Sequence, residues 1–210
     1  MNARNIRWLG HSSFLITSEM DDFTVYIDPV NIQSDAIADF IFITHTHYDH
    51  FSLKDILNIS NKQTRLFITP DAQGKLEGFL GNTTYVEPNN RYQVDNIIVD
   101  TVPAYNENSS FHPESNRWVG YIIEIDRKRI YHAGDTDALE ELKQLSNIDI
   151  GIFPVGGTYT MGPKEAAELA NAIKPNIAIP MHYGSVVGTV DDAKRFKELF
   201  NAQTLILEKQ

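Results

Sequence analysis

A chain of 210 residues can bury a substantial core within the size range of one domain, and 42% apolar against 22% charged residues excludes a disordered or fibrous protein. The formal net charge of -10 works against a nucleic-acid backbone as partner, although a local basic patch would override it. With no cysteine, disulfides, iron-sulfur ligation and a cysteine nucleophile are excluded, so any metal must be held by imidazole and carboxylate.

The first twenty residues, with polar residues breaking every apolar run, contain no signal-peptide core, and no membrane-length stretch follows. The expected location is the cytoplasm, with no membrane partner. Short segments rich in β-branched and aromatic residues at 6–10, 13–17, 23–28 and 39–44 read as strands. Ser52, with Asp55 at the third helical position, marks a helix start, and Leu53, Ile56 and Leu57 give that helix an apolar face. RLFIT at 65–69 returns to strand and Pro70 closes it. Further short strands are expected at 84–86, 92–94 and 97–102.

Residues 104–117 then form a densely polar stretch without period, which in a compact domain suggests a lid or binding loop. A hairpin is expected over 119–125 and 129–133, then a helix over ALEELKQL (138–145) and a buried strand over IDIGIF (148–153). Pro163 opens a helix whose apolar face is Ala166, Leu169, Ala170 and Ile173, and Pro175 stops it. NIAIPM (176–181) is the next strand. Thr189 caps a last helix through 200, Asp192 completing a capping box, and TLILE (204–208) ends the chain as a strand. Hairpins in the first half and strand-helix alternation in both halves point to two packed sheets with helices outside, over one domain spanning 1–210.

The strongest chemical signal is ITHTHYDH, residues 43–50, just beyond an apolar strand. Strand alternation lets His45 and His47 point the same way, and a turn through Tyr48 and Asp49 would bring Asp49 and His50 to a second point. One metal could take each pair. Asp135, in HAGDT after a strand, could bridge both metals, although on local sequence it also reads as a helix cap. His182, in IPMHYG at another strand end, could join Asp49 and His50, its alternative being a core histidine. The first metal then lacks a third protein ligand, for which His112 in the polar loop is the best candidate and Asn106 a neutral alternative. His11 reads as a substrate contact or a donor to a ligand, and His132 as a group supporting a ligand from behind or as buried structure, since it precedes the Gly134 turn.

Together these segments resemble the metallo-β-lactamase superfamily: THTHYDH matches its T-H-x-H-x-D-H signature, and GDT and PMHYG match its later motifs in order. GHSSFLI near the start and PVGGTYTMGPKEAAELA before IKPNIAIPMHYG resemble the small metal-dependent hydrolases related to L-ascorbate-6-phosphate lactonase. The resemblance implies an α+β fold, an αββα sandwich of two mixed β-sheets with helices on the outer faces. It also implies two divalent ions per chain, zinc first and manganese or iron next. His45 and His47 would hold metal one, Asp49, His50 and His182 metal two, and Asp135 would bridge. The departure is at the third ligand of metal one, where family members often place a histidine shortly after a proline. Here VPAYN offers Tyr105 and Asn106, so His112 would have to serve.

The expected activity is hydrolysis of an ester, lactone, amide or phosphodiester bond of a small molecule, with Asp49 and Asp135 as catalytic carboxylates orienting water. Substrate contacts are expected from His11, Tyr105, Asn106, Tyr159 and Tyr183, with Tyr48, Thr158 and Thr160 beside them and Arg117 available to an anion. The alternatives are a nucleic-acid phosphodiesterase and a non-catalytic metal-binding or regulatory protein. A homo-oligomer remains open.

Overall fold

The computed structural model describes residues 5–34, 36–95 and 97–210. Six strands, β1 (Ile6–Gly10), β2 (Ser13–Thr17), β3 (Thr24–Ile27), β4 (Phe40–Phe42), β5 (Arg65–Ile68) and β6 (Asn82–Tyr85), form one sheet in chain order. A second sheet holds β7 (Arg91–Val94), β8 (Ile97–Pro103), β9 (Val119–Ile125), β10 (Lys128–His132), β11 (Ile150–Pro154), β12 (Ile177–Met181) and β13 (Gln203–Thr204), also in chain order. Each sheet starts as an antiparallel meander and continues as parallel strands, the change falling after β3 in the first and after β10 in the second. Mixed sheets of this kind need cover on both faces.

Strand alternation explains where the core sits. Val25, Ile27, Phe40, Phe42 and Phe67 face inward and pack with Tyr121, Ile123, Ile130 and Ile152 of the second sheet. Their neighbours Tyr26, Ile41, Leu66 and Ile68 face outward and are covered by Ile56 of α1 (Leu53–Asn58) and by Ile59. On the far side, α2 (Pro163–Ile173) and α3 (Val190–Leu199) pack against each other and against the second sheet, burying Leu169, Ala170, Ala193 and Phe196. The result is the expected αββα sandwich. Among the described residues no helix is long and apolar enough to cross a membrane.

The caps follow the sequence closely. The Ser52 hydroxyl accepts from the Asp55 amide, while the Asp55 carboxylate turns to the Asn31 amide, tying α1 to the loop after β3. Asp192 accepts from the Thr189 amide at 2.7 Å, closing the first turn of α3. The β9–β10 hairpin turns through Asp126 and Arg127, both with positive φ, as a tight hairpin turn demands.

Among the described residues two expected elements are shorter than read. ALEELKQL forms only a short helical turn at Leu142–Gln144, with the Ala138 amide donating to Glu165 of α2 and Leu139 and Leu142 buried in the core. Tertiary contacts override helix propensity there. TLILE pairs only through Gln203–Thr204, plus one bond from the Leu205 amide to Ala178 O. The segment then leaves the second sheet, half-buries Leu205, Ile206 and Leu207 against the core, and bridges to the first sheet at Trp8↔Lys209.

Candidate metal centre

The chemistry gathers where several strands end. The turn after β4 carries His45, His47, Asp49 and His50, the turn after β10 carries Asp135, His182 directly follows β12, and the β1–β2 turn contributes His11. After β4 His45 Nε2 and His47 Nδ1 approach to 3.1 Å, and the chain then turns, the His50 and Phe51 amides both donating to His47 O. His11 and His182 sit at φ 51° and 59°, left-handed positions that cost a non-glycine residue about 1 kcal/mol or more. The surrounding structure must hold them, and the His182 amide donates to His11 O at 3.0 Å. Gly134, at φ 65°, makes the turn that presents Asp135.

Among the described residues three groups result in which one ligand atom from each residue lies within 4.8 Å of those of the others: His45 with His47 and His112, His11 with Asp49, His50 and His182, and His45 with His50 and Asp135. Asp135 joins them, one oxygen 3.2 Å from His50 Nε2 and the other 3.2 Å from His112 Nε2 and 3.1 Å from His182 Nε2. All four residues are buried, yet His50 Nε2, His112 Nε2, both His182 nitrogens and Asp135 Oδ1 have no hydrogen-bond partner. Orphaned buried polar atoms are costly, and four of these, the three Nε2 atoms and Asp135 Oδ1, meet in one small volume that fits a cation.

The partners behind the ring nitrogens strengthen this fit. Asp28, fully buried at the end of β3, accepts from the Thr44 amide at 2.8 Å, the Thr44 hydroxyl at 2.7 Å and His50 Nδ1 at 2.7 Å. With its proton given to Asp28, the Thr44 hydroxyl accepts from His45 Nδ1 at 3.0 Å. Asn106 Oδ1 accepts from His112 Nδ1 at 2.8 Å, while the Asn106 amide donates to Asp137 and to Tyr159 O. In His45, His50 and His112 the outer nitrogen therefore has an acceptor for a proton, which leaves Nε2 as the nitrogen that can face a cation.

The electrostatics are those of a charged site removed from water. Burial drives the His45 imidazole well below its usual range, and His11 and His47 are lowered by the same cause. At His50 burial acts the same way but is outweighed by the Asp135 and Asp28 carboxylates, which hold the ring well above its normal value. Burial opposes ionisation of Asp49, yet the His11 hydrogen bond and His50 outweigh it and lower that carboxyl to about 2. Asp135 is likewise held well below the carboxylate range against burial, by His182 and His50.

Of the expected substrate contacts, His11 sits inside the second cluster, its Nε2 donating to Asp49 Oδ2 at 3.1 Å and its Nδ1 3.2 Å from the Ser185 hydroxyl. Asn106 positions His112 rather than offering itself as the alternative ligand. Tyr159 lines a cavity of about 240 Å³ with Phe111, His47, His112 and Asp135. Tyr183 lines a neighbouring cavity of about 180 Å³, stacked on Trp8 with ring centres 4.9 Å apart. Tyr48, largely exposed, borders both. Tyr105 lies outside them, its hydroxyl turned to Glu141, and Arg117 is committed to Glu87 through two 3.2 Å contacts, leaving no cation there for a substrate. His132 is buried structure, donating to Ser12 O and accepting from the Gly134 amide.

Asp28, Thr44 and Trp118 were not read from the sequence as site residues. Trp118 packs against His45 and His47, with ring centres 4.7 Å from each, and its indole donates to Asp71, which also accepts from Thr46. An aspartate closing an apolar strand ahead of a proline, as in VYIDP, was the available signal for Asp28.

Residues 5–182 match the model of the beta-lactamase superfamily domain, and the chain belongs to that superfamily. A Thermococcus onnurineus protein named as a UPF0173 metal-dependent hydrolase is 32% identical over 219 aligned residues, covering 97% of this chain and 96% of that one. The crystal structure of a protein from Parabacteroides distasonis assigned to the metal-dependent hydrolases superposes with a TM-score of 0.83 at 30% identity, covering 98% and 93% of the two chains. Igni18, a metallo hydrolase from Ignicoccus hospitalis, shares the fold at 23% identity and a TM-score of 0.76, covering 97% and 94%. Within the superfamily this chain is a metal-dependent hydrolase of the UPF0173 type.

Proposed function

We propose that the chain holds two divalent transition-metal ions, zinc first and manganese or iron next, and hydrolyses an ester, lactone, amide or phosphodiester bond of a small molecule. His45, His47 and His112 would hold one ion, Asp49, His50 and His182 the other, and Asp135 would lie between them. The observation that carries this reading is the convergence of the buried, unpartnered Nε2 atoms of His50, His112 and His182 on Asp135, with Asp28 and Asn106 held against the outer nitrogens of the first two. Such metals, when bound, supply Lewis acidity and lower the pKa of water to near neutrality.

The chain's own residues supply the rest. Asp49 is the more accessible of the two carboxylates and borders both cavities, so it can accept a hydrogen bond from the attacking water and aim it at a bound carbonyl or phosphorus. His11 fixes the Asp49 carboxylate, and the buried Asp135 stays ionised against its histidines. Phe111, Tyr159 and Val186 shield the site from bulk water and would receive an apolar part of the substrate. Cavities of about 180 and 240 Å³ suit a small molecule. The motif likeness to L-ascorbate-6-phosphate lactonase makes lactones the first bond to test.

The test is Asp49→Asn, assayed with a panel of lactones, esters, amides and phosphodiesters. Turnover by the metal-loaded wild type and a loss of about 100-fold or more in the variant, at unchanged folding, is expected for a group acting in proton transfer. Equal turnover by both proteins would remove Asp49 from the mechanism.

A further inference from the structure

The two cavities meet at a ridge formed by Tyr48, Asp49 and Val186, but their walls differ. The larger is walled by Phe111, Tyr159 and the histidines. The smaller runs from His11 and Asp49 past Tyr183 and Trp8 to Lys209, which among the described residues is the only lysine or arginine lining either one.

Lys209 is placed there by the fold. The segment that leaves the second sheet bridges Trp8 at Lys209, the Gln210 amide donates to Trp8 O at 3.0 Å, and Arg7 Nε donates to the Gln210 side chain at 2.6 Å. The lysine stem then lies over Gly10, where a Cβ would stand 2.9 Å from Lys209 Cε, so a side chain at that position would displace it. Among the described residues Lys209 forms no salt bridge, whereas Arg65, Arg91, Arg117, Lys128 and Arg129 are paired with carboxylates. In a chain of net charge -10, an unpaired ammonium at the mouth of the site selects for negative charge locally against the overall field.

We propose that Lys209 is a specificity-determining residue that receives an anionic oxygen group of the substrate, a carboxylate or a phosphate, in the Trp8–Tyr183 cavity. The substrate is then two-ended, with its scissile bond at Asp49, an anionic arm toward Lys209 and an apolar arm toward Phe111 and Tyr159. The assignment of a substrate rests on the hydrolase reading above, but binding of the anionic arm can be measured without turnover.

The experiment is calorimetric titration of the metal-loaded protein with glutarate, with inorganic phosphate and with the uncharged diamide of glutaric acid. It compares wild type with Lys209→Met, which keeps the stem, and Lys209→Glu. Loss of one charged contact of this exposure predicts glutarate or phosphate binding about fivefold weaker in Lys209→Met, and charge reversal about 20-fold or more in Lys209→Glu, with the diamide unaffected. Whichever anion responds more identifies the arm. Equal anion binding by all three proteins, equal loss for the diamide, or no measurable anion binding by wild type would overturn the proposal. Paired kinetics on a neutral and a carboxylated nitrophenyl ester separate the two readings. Failure of wild type to cleave either ester counts against hydrolysis, whereas equal KM ratios in wild type and Lys209→Met count against Lys209 alone.

Discussion

Replacing Asp28 with asparagine keeps its size but removes its charge and one acceptor. The carboxylate takes three hydrogen bonds of 2.7–2.8 Å in a fully buried position: the Thr44 amide, the Thr44 hydroxyl and His50 Nδ1. Asparagine can still accept from the amide, but its NH2 group faces the other two donors. At about 1.5–3 kcal/mol for each lost hydrogen bond to a charged group, the expected loss is about 3–5 kcal/mol. For a chain of this size that lowers Tm by roughly 10 °C or more. The second effect is on the site, because His50 loses the group that fixes its tautomer and His45 loses the oriented Thr44 hydroxyl behind it. Metal affinity should fall about 10–100-fold, the usual consequence of removing a ligand's supporting partner. Calorimetric melting of the metal-free protein and chelator competition on the loaded protein read the two effects separately. Thr44→Val, which removes only the hydroxyl, should give a smaller loss in both. A melting point and metal affinity equal to wild type in Asp28→Asn would refute the claim that this buried carboxylate organises the centre.

Asn106→Ala frees His112 Nδ1 while leaving the ligand nitrogen in place, so it should weaken one metal site about 10–100-fold and spare the other, read as two separated steps in a chelator titration. Burial lowers the pKa of His132, and its two hydrogen bonds, one given to Ser12 O and one accepted from the Gly134 amide, suit the neutral ring, whereas the unfolded chain takes up a proton below about 6.5. Its contribution is therefore present above that pH and lost as pH falls from 6.5 toward its lowered folded value. Imidazole 15N shifts should show a neutral Nε2-protonated ring at pH 6, and replacing His132 with glutamine should flatten the stability profile between pH 5 and 7; a protonated ring at pH 6 would contradict the assignment.

Much of this was legible in the sequence because periodicity and burial coincide. The β-branched and aromatic runs FTVYID and DFIFIT predict strands, and those strands separate Val25, Phe40 and Phe42 on one face from Tyr26 and Ile41 on the other. Four potential ligands within six positions after a strand also announce a centre, since packing gives no other reason to crowd them. The positions that escaped are those decided by distant contacts. The Ala138 amide is taken by Glu165, 27 residues away, and over 138–145 only the turn at Leu142–Gln144 is helical, its shape set among contacts with α2 and the core. TLILE has a strand's composition but joins two sheet edges, a path that no local pattern encodes. Asp28 and His50 lie 22 residues apart, and Lys209 reaches the site only because the last segment crosses from one sheet to the other.

The most direct measurement is metal content by elemental mass spectrometry, on untagged wild-type protein and on His112→Ala, each stripped and reloaded with zinc, manganese or iron. The account predicts about two ions per wild-type chain and about one in the variant. No retained metal after reloading, or a content indifferent to His112, would contradict a centre built on these converging histidines.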